Sequence, residues 1–203
     1  MKDGGKVVLG VLGSGRGSNF GAILDAIGSG RLSASVGVVI SDQEDAHILE
    51  LGRERKIPTV VLRPGRFRTW LEPEIEEELA QSLRRFQVDL VVLAGFLRVL
   101  KGPLLTAYPG RILNIHPSLL PAFKGKDAWK QALESGAVET GCTVHWVAPE
   151  LDSGPILGQA RVPILPGDTS ERLHARIQEA EHRLYPEVIQ GVIDRKLWQG
   201  IRS

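Results

Sequence analysis

Asn114, His116 and Asp152 are the residues of this chain whose types and spacing could do chemistry together. Asn114 and His116 stand two apart at the end of an apolar run, Ile112 to Ile115. On a strand they would share one face, and both would lie at its carboxyl end. Pro117 stops the ladder immediately afterwards, so Ser118-Leu119-Leu120-Pro121 must continue as an irregular loop. Histidine titrates near neutrality and serves as acid or base. Asparagine donates a hydrogen bond without changing charge, as an oxyanion stabiliser should. Asp152 lies in the turn-rich stretch Pro149-Glu150-Leu151-Asp152-Ser153-Gly154-Pro155. By itself it is a turn former. As a carboxylate reaching the same strand-end cleft, it would orient His116 and favour the imidazolium. This trio fits acyl transfer better than metal or redox chemistry. His145 precedes that turn and reads as a satisfied core histidine. No second His, Cys or carboxylate lies at zinc-ligand spacing from His116, so no metal is expected.

A second constellation is the glycine loop Gly13-Ser14-Gly15-Arg16-Gly17, followed by Ser18 and Asn19. Glycines let the backbone approach an anion closely, and the first turn of a following helix points N–H groups at it. A tight turn with Ser18 or Asn19 as N-cap uses the same N–H groups, so the loop alone leaves both readings open. The dinucleotide fingerprint G-x-G-x-x-G fails at Ser18, and no P-loop signature is present.

These residues need a scaffold, and the chain supplies one by alternation. Val7 to Leu12, Val36 to Ile40, Thr59 to Leu62 and Leu90 to Ala94 read as buried strands. Between them, Phe20, Ile23, Leu24 and Ile27, then Ala46 to Arg55, then Ile75 to Phe86, recur at helical spacing. Thr143 to Val147 and Ile156 to Val162 read as later, antiparallel strands. Leu173, Ile177, Ala180 and Leu184 mark a final helix that Pro186 should bend or end. The expected fold is α/β, a doubly wound, mainly parallel sheet with helices on both faces. Residues 1–203 should form one domain, the first half binding phosphate and the second doing the chemistry.

Composition narrows the partners. The net charge is +1, from 25 basic and 24 acidic residues, which disfavours nucleic acid as the main ligand. Cys142 is the only cysteine, which excludes an internal disulfide and fits a reducing compartment. No apolar run reaches membrane-spanning length, and the first residues lack a secretory pattern, so a cytoplasmic protein with small-molecule substrates, monomer or homodimer, is expected.

Ser14-Gly15-Arg16-Gly17-Ser18-Asn19, the run Asn114 to Pro121, and Leu151-Asp152-Ser153-Gly154-Pro155 together resemble the folate-dependent formyltransferases, from about Val7 to Trp198. The resemblance implies a Rossmann-like formyltransferase fold and 10-formyltetrahydrofolate as co-substrate. The glycine loop and short length match the members that formylate a phosphoribosylated glycinamide in purine biosynthesis. It also implies roles. Gly17, Ser18 and Asn19 would hold a phosphate, and Glu181 a ribose. Leu97, Arg98, Val99 and Leu100 would line the folate pocket with Asn114, and Ala148, Pro149, Glu150, Leu151 and Asp152 would close over it. A basic residue after the third strand would meet the folate, and Arg68 is the candidate. The family's usual Asn before Gly-Ser-Asn is Arg16 here. The alternatives are a formyltetrahydrofolate hydrolase, expected to carry an extra N-terminal domain, and a nucleotide-phosphate or dinucleotide binding protein, with Asp42 on a ribose.

Overall fold

The computed structural model describes residues 5–63 and 65–199; the chain start read above for a leader, and Pro64 of the arginine-rich loop, lie outside them. The strands are β1 (Val7–Leu12), β2 (Ala34–Ser41), β3 (Thr59–Val61), β4 (Leu90–Leu93), β5 (Ile112–His116), β6 (Glu139–Trp146) and β7 (Ile156–Pro163). The helices are α1 (Ser18–Gly28), α2 (His47–Glu54), α3 (Pro73–Arg85), α4 (Pro103–Ala107), α5 (Ala128–Glu134) and α6 (Ser170–Asp194).

The seven strands form one sheet in the order β3-β2-β1-β4-β5-β6-β7. β1 to β5 pair in parallel, and β6 and β7 add antiparallel. The central strands are apolar on both faces because each face has its own core. On β4, Leu90 and Val92 enter one core and Val91 and Leu93 the other, the two-residue period splitting one run between two layers. Phe20 and Ile23 of α1, Ile48 of α2, and Ile177 and Tyr185 of α6 complete the first core. Ile75, Leu79 and Leu83 of α3 complete the second. Each such aliphatic side chain contributes about 1.5–3 kcal/mol on burial, so layering is the dominant stabiliser of the sheet.

The order reverses between β1 and β4, which makes their carboxyl ends the place where a doubly wound sheet opens a crevice. The expected fold class holds. Three local features depart from the sequence reading or add to it. α6 runs through Pro186 rather than ending there and stops only at Asp194, with Pro186 buried. Two short helices, α4 and α5, occupy segments that carry no strong period. Leu97 to Leu100 forms an irregular strap, bridged by Trp70 opposite Val99 and by the Val99 N–H donating to the Thr69 carbonyl at 2.9 Å.

Candidate active site

The glycine loop leaves β1 under tight control. The Gly13 N–H donates to the Ile40 carbonyl, the Ser14 N–H to the Gly95 carbonyl, and the Ile48 N–H to the Gly15 carbonyl. His47 Nδ1 donates to the Arg16 carbonyl at 3.0 Å. Gly17 then sits at φ 75 as N-cap of α1, and a Cβ there would lie 2.9 Å from Ile48, so only glycine makes this turn without displacing α2. No side chain caps α1. Of the two readings open in the sequence, the simple Ser18 or Asn19 cap is therefore not what forms. The first-turn N–H groups of α1 thus take no side-chain cap, which leaves the anion-site reading open.

Asn19 turns inward. Its Nδ2 donates to Glu181 Oε2 of α6 at 2.8 Å, and its Oδ1 is buried with no hydrogen-bond partner among the described residues. Burial pushes the Glu181 carboxyl up from 4.5 to about 7, against the opposing pull of the Asn19 bond. Between those values the folded chain holds this proton and the unfolded chain does not. The contribution to stability is thus complete below about pH 4.5 and is lost as pH rises through 7. Glu181→Gln should remove that slope: the wild-type-minus-variant difference in melting temperature should fall across this window and level off above it. A difference independent of pH would contradict the assignment.

Asp42 is occupied. Its Oδ1 accepts from Ser14 Oγ at 2.5 Å, and its Oδ2 from Arg98 Nε at 2.6 Å and Gln43 Nε2 at 2.8 Å. Burial would raise its pKa, but the bonds from Ser14, Arg98 and Gln43 outweigh it and hold the carboxyl below the ordinary range. Arg98 also donates through Nη1 to the Phe67 carbonyl. This knot ties the glycine loop to the strap, since Ser14 Oγ also accepts from the Leu97 N–H at 2.9 Å. Asp42 is thus buried and engaged by three donors within the fold, which weakens the observation that favoured the dinucleotide alternative.

Asn114 and His116 fall where their spacing places them, on one face at the end of β5. His116 is 5% exposed. Its Nε2 donates to the Phe123 carbonyl at 2.8 Å, and its Nδ1 lies 3.4 Å from Asp152 Oδ2. Asp152 Oδ2 also accepts from the Gly125 N–H at 2.9 Å. The loop after Pro117 is pinned: Ser118 Oγ donates to the Ala122 carbonyl at 2.6 Å, and the Leu120 N–H to Thr143 Oγ1 at 3.0 Å. Asp152 itself stands at φ 49, a conformation that Asp tolerates better than most residues. It follows that the 148–152 turn is built to aim this carboxylate. Behind it, a Cβ on Gly154 would come 1.8 Å from the Trp146 carbonyl oxygen, which explains glycine there.

The residue that the sequence reading undervalued is His145. β5 and β6 pair with Asn114 opposite His145, so the two side chains meet across the ladder, with Asn114 Nδ2 3.2 Å from His145 Nε2. His145 Nε2 is also 3.8 Å from Asp152 Oδ1. The antiparallel register of β5 and β6 was the signal that could have found it. The remaining candidates border the cleft differently. Leu97 and Leu151 are exposed, Leu100 is turned into the second core, and Arg68 is exposed with no hydrogen bond or ion pair among the described residues. No cluster of three or more His, Cys, Asp or Glu side chains suited to a metal occurs among the described residues.

The fold and the site define a class, an α/β enzyme with Asn114 and His116 at the end of β5 and Asp152 brought to His116 by the turn between β6 and β7. The chain belongs to the formyl transferase family, whose profile matches residues 6–189. It is 42% identical over 187 residues to the phosphoribosylglycinamide formyltransferase of Escherichia coli, covering 92% of this chain and 87% of that one. The glycinamide ribonucleotide transformylase 1 of Symbiobacterium toebii superposes with a TM-score of 0.87 at 49% identity, over 93% of this chain and 88% of that one. The phosphoribosylglycinamide formyltransferase of Bacillus halodurans gives 0.87 at 40% identity, over 93% and 96%.

Proposed function

We propose that this chain, acting as one domain, transfers the formyl group of 10-formyltetrahydrofolate to the amine of N1-(5-phospho-D-ribosyl)glycinamide in purine biosynthesis. The observation that carries the chemistry is the His116 ring, held between the Phe123 carbonyl and Asp152 with Asn114 on the same strand face. The names of the relatives above support the acceptor.

Asn114 and His116 would stabilise the oxyanion that forms when the amine attacks the formyl carbon. His116 Nε2 must carry a hydrogen, because a carbonyl can only accept. A proton on Nδ1 would then lie between the ring and Asp152. At 3.4 Å that contact is longer than a fully formed charge-assisted bond of about 2.7–2.9 Å, so this hydrogen can be shared with an oxygen arriving in the cleft. Asp152 keeps Oδ1 uncommitted, a place to receive the amine proton on its way to the leaving nitrogen.

Gly17, Ser18 and Asn19 would hold the phosphate, and Glu181 with the unpaired Asn19 Oδ1 would accept from the sugar hydroxyls. The donor would lie along Leu97 to Leu100 under the 148–152 loop. Because the Arg98 guanidinium is spent on Asp42 and Phe67, that strap would offer backbone groups and the exposed Leu97 side chain. Arg68 is the proposed basic contact to the donor. The substrates are small molecules, the site of action the cytoplasm, and no helix among the described residues is long and apolar enough to cross a membrane. The test is a transfer assay with both substrates, read as N-formyl product; no product above background contradicts the reading.

A further inference from the structure

We infer that His145 is a positioning residue that fixes which edge of the Asn114 amide faces the reacting oxygen, a role that rests on the formyl-transfer reading. The tautomer follows from the partners. His145 Nδ1 lies 2.8 Å from the Trp146 carbonyl oxygen, which only accepts, so Nδ1 carries the hydrogen. A neutral ring then leaves Nε2 bare. The group 3.2 Å from that lone pair must be a donor, and it is Asn114 Nδ2. One N–H of the amide is thereby committed to His145, and Oδ1 is forced to the opposite edge. The second N–H is left with a defined direction in the cleft.

The alternative state shows why this matters. A hydrogen on His145 Nε2 would turn the acceptor into a donor, and the amide would have to present Oδ1 to it. That flip exchanges the positions of Asn114 oxygen and nitrogen, placing a lone pair where an oxyanion needs a donor. The surroundings hold the ring neutral: burial lowers its affinity for a proton, as do the charges of His116 and Lys124, while the Trp146 bond and the Asp152 charge oppose this without reversing it. At 3.8 Å Asp152 Oδ1 is too far to hydrogen-bond to Nε2. His145 is 2% exposed, so solvent does not substitute for it.

Two measurements test the role. Long-range ¹H–¹⁵N correlation of the free, histidine-labelled protein should show His145 with a protonated Nδ1 and a bare Nε2 at neutral pH. A hydrogen on Nε2 overturns the inference, whatever the acceptor substrate is. In turnover, His145→Leu should lower kcat by about 10²-fold, the cost of a misplaced catalytic group, with both substrate Kd values unchanged. His145→Gln, whose side-chain oxygen can accept from Asn114, should recover part of that loss. Equal losses in Leu and Gln variants, or a loss confined to KM, overturn it. Failure of the wild-type enzyme to transfer formyl would instead strike the functional reading and leave the tautomer result standing.

Discussion

His116→Ala should bind both substrates with affinities near those of the wild-type protein and turn over about 10²–10⁴-fold more slowly, the range for removing a positioned acid–base group. The size follows from what the ring is attached to. His116 bridges the Phe123 loop and the Asp152 turn, at 2.8 Å and 3.4 Å, and it stands on the same strand face as Asn114. Removing it deletes a proton carrier and one oxyanion contact together, while the glycine loop and the strap 97–100 stay tied by Ser14, Asp42 and Arg98. Binding measured by calorimetry and single-turnover rates at saturation separate the two effects. Turnover within a few-fold of wild type would remove His116 from the chemistry.

Asp152→Asn should be nearly as severe, about 10²–10³-fold in kcat, for a different reason. The amide keeps the shape and can still accept from the Gly125 N–H, but it carries no charge to balance a protonated His116 and cannot receive a proton. His116 faces this position from within the fold, so the variant removes the carboxylate charge from a buried neighbour as well as from the reaction. A melting temperature measured beside the kinetics distinguishes misfolding from lost chemistry. A folded Asp152→Asn protein with normal kcat would show that the carboxylate is only a turn former.

Much of the fold was legible because it depends on runs of one residue class. Leu90 to Leu93 is buried throughout, and the reading of a central parallel strand needed nothing beyond that run. α4 was not legible. Its N-terminus is satisfied by Glu76 of α3, whose carboxylate accepts from the Lys101, Gly102 and Leu104 N–H groups at 2.7, 3.0 and 3.1 Å, a non-local cap that leaves no local pattern. α5 follows Asp127 at φ 55, without a side-chain cap. Pro186 was read as bending or ending the last helix from its missing N–H, yet α6 continues past it to Asp194, the residue buried.

The site divides the same way. Asn114 and His116 announced themselves through spacing and the proline that follows. Asp152 required the turn to be folded before its direction was defined, since a left-handed φ of 49 aims the carboxylate. His145 required the register of β5 against β6. The Asn19–Glu181 pair joins residues separated by 162 positions, and only the family resemblance suggested Glu181 at all.

The most direct test of the central claim is the partition of the formyl group between amine and water. Wild-type protein, 10-formyltetrahydrofolate and N1-(5-phospho-D-ribosyl)glycinamide are mixed, and N-formyl product and free formate are measured together. Transfer to the amine should account for nearly all turnover, and should stop when the acceptor is omitted. Formate released at the same rate with or without the amine would contradict the account.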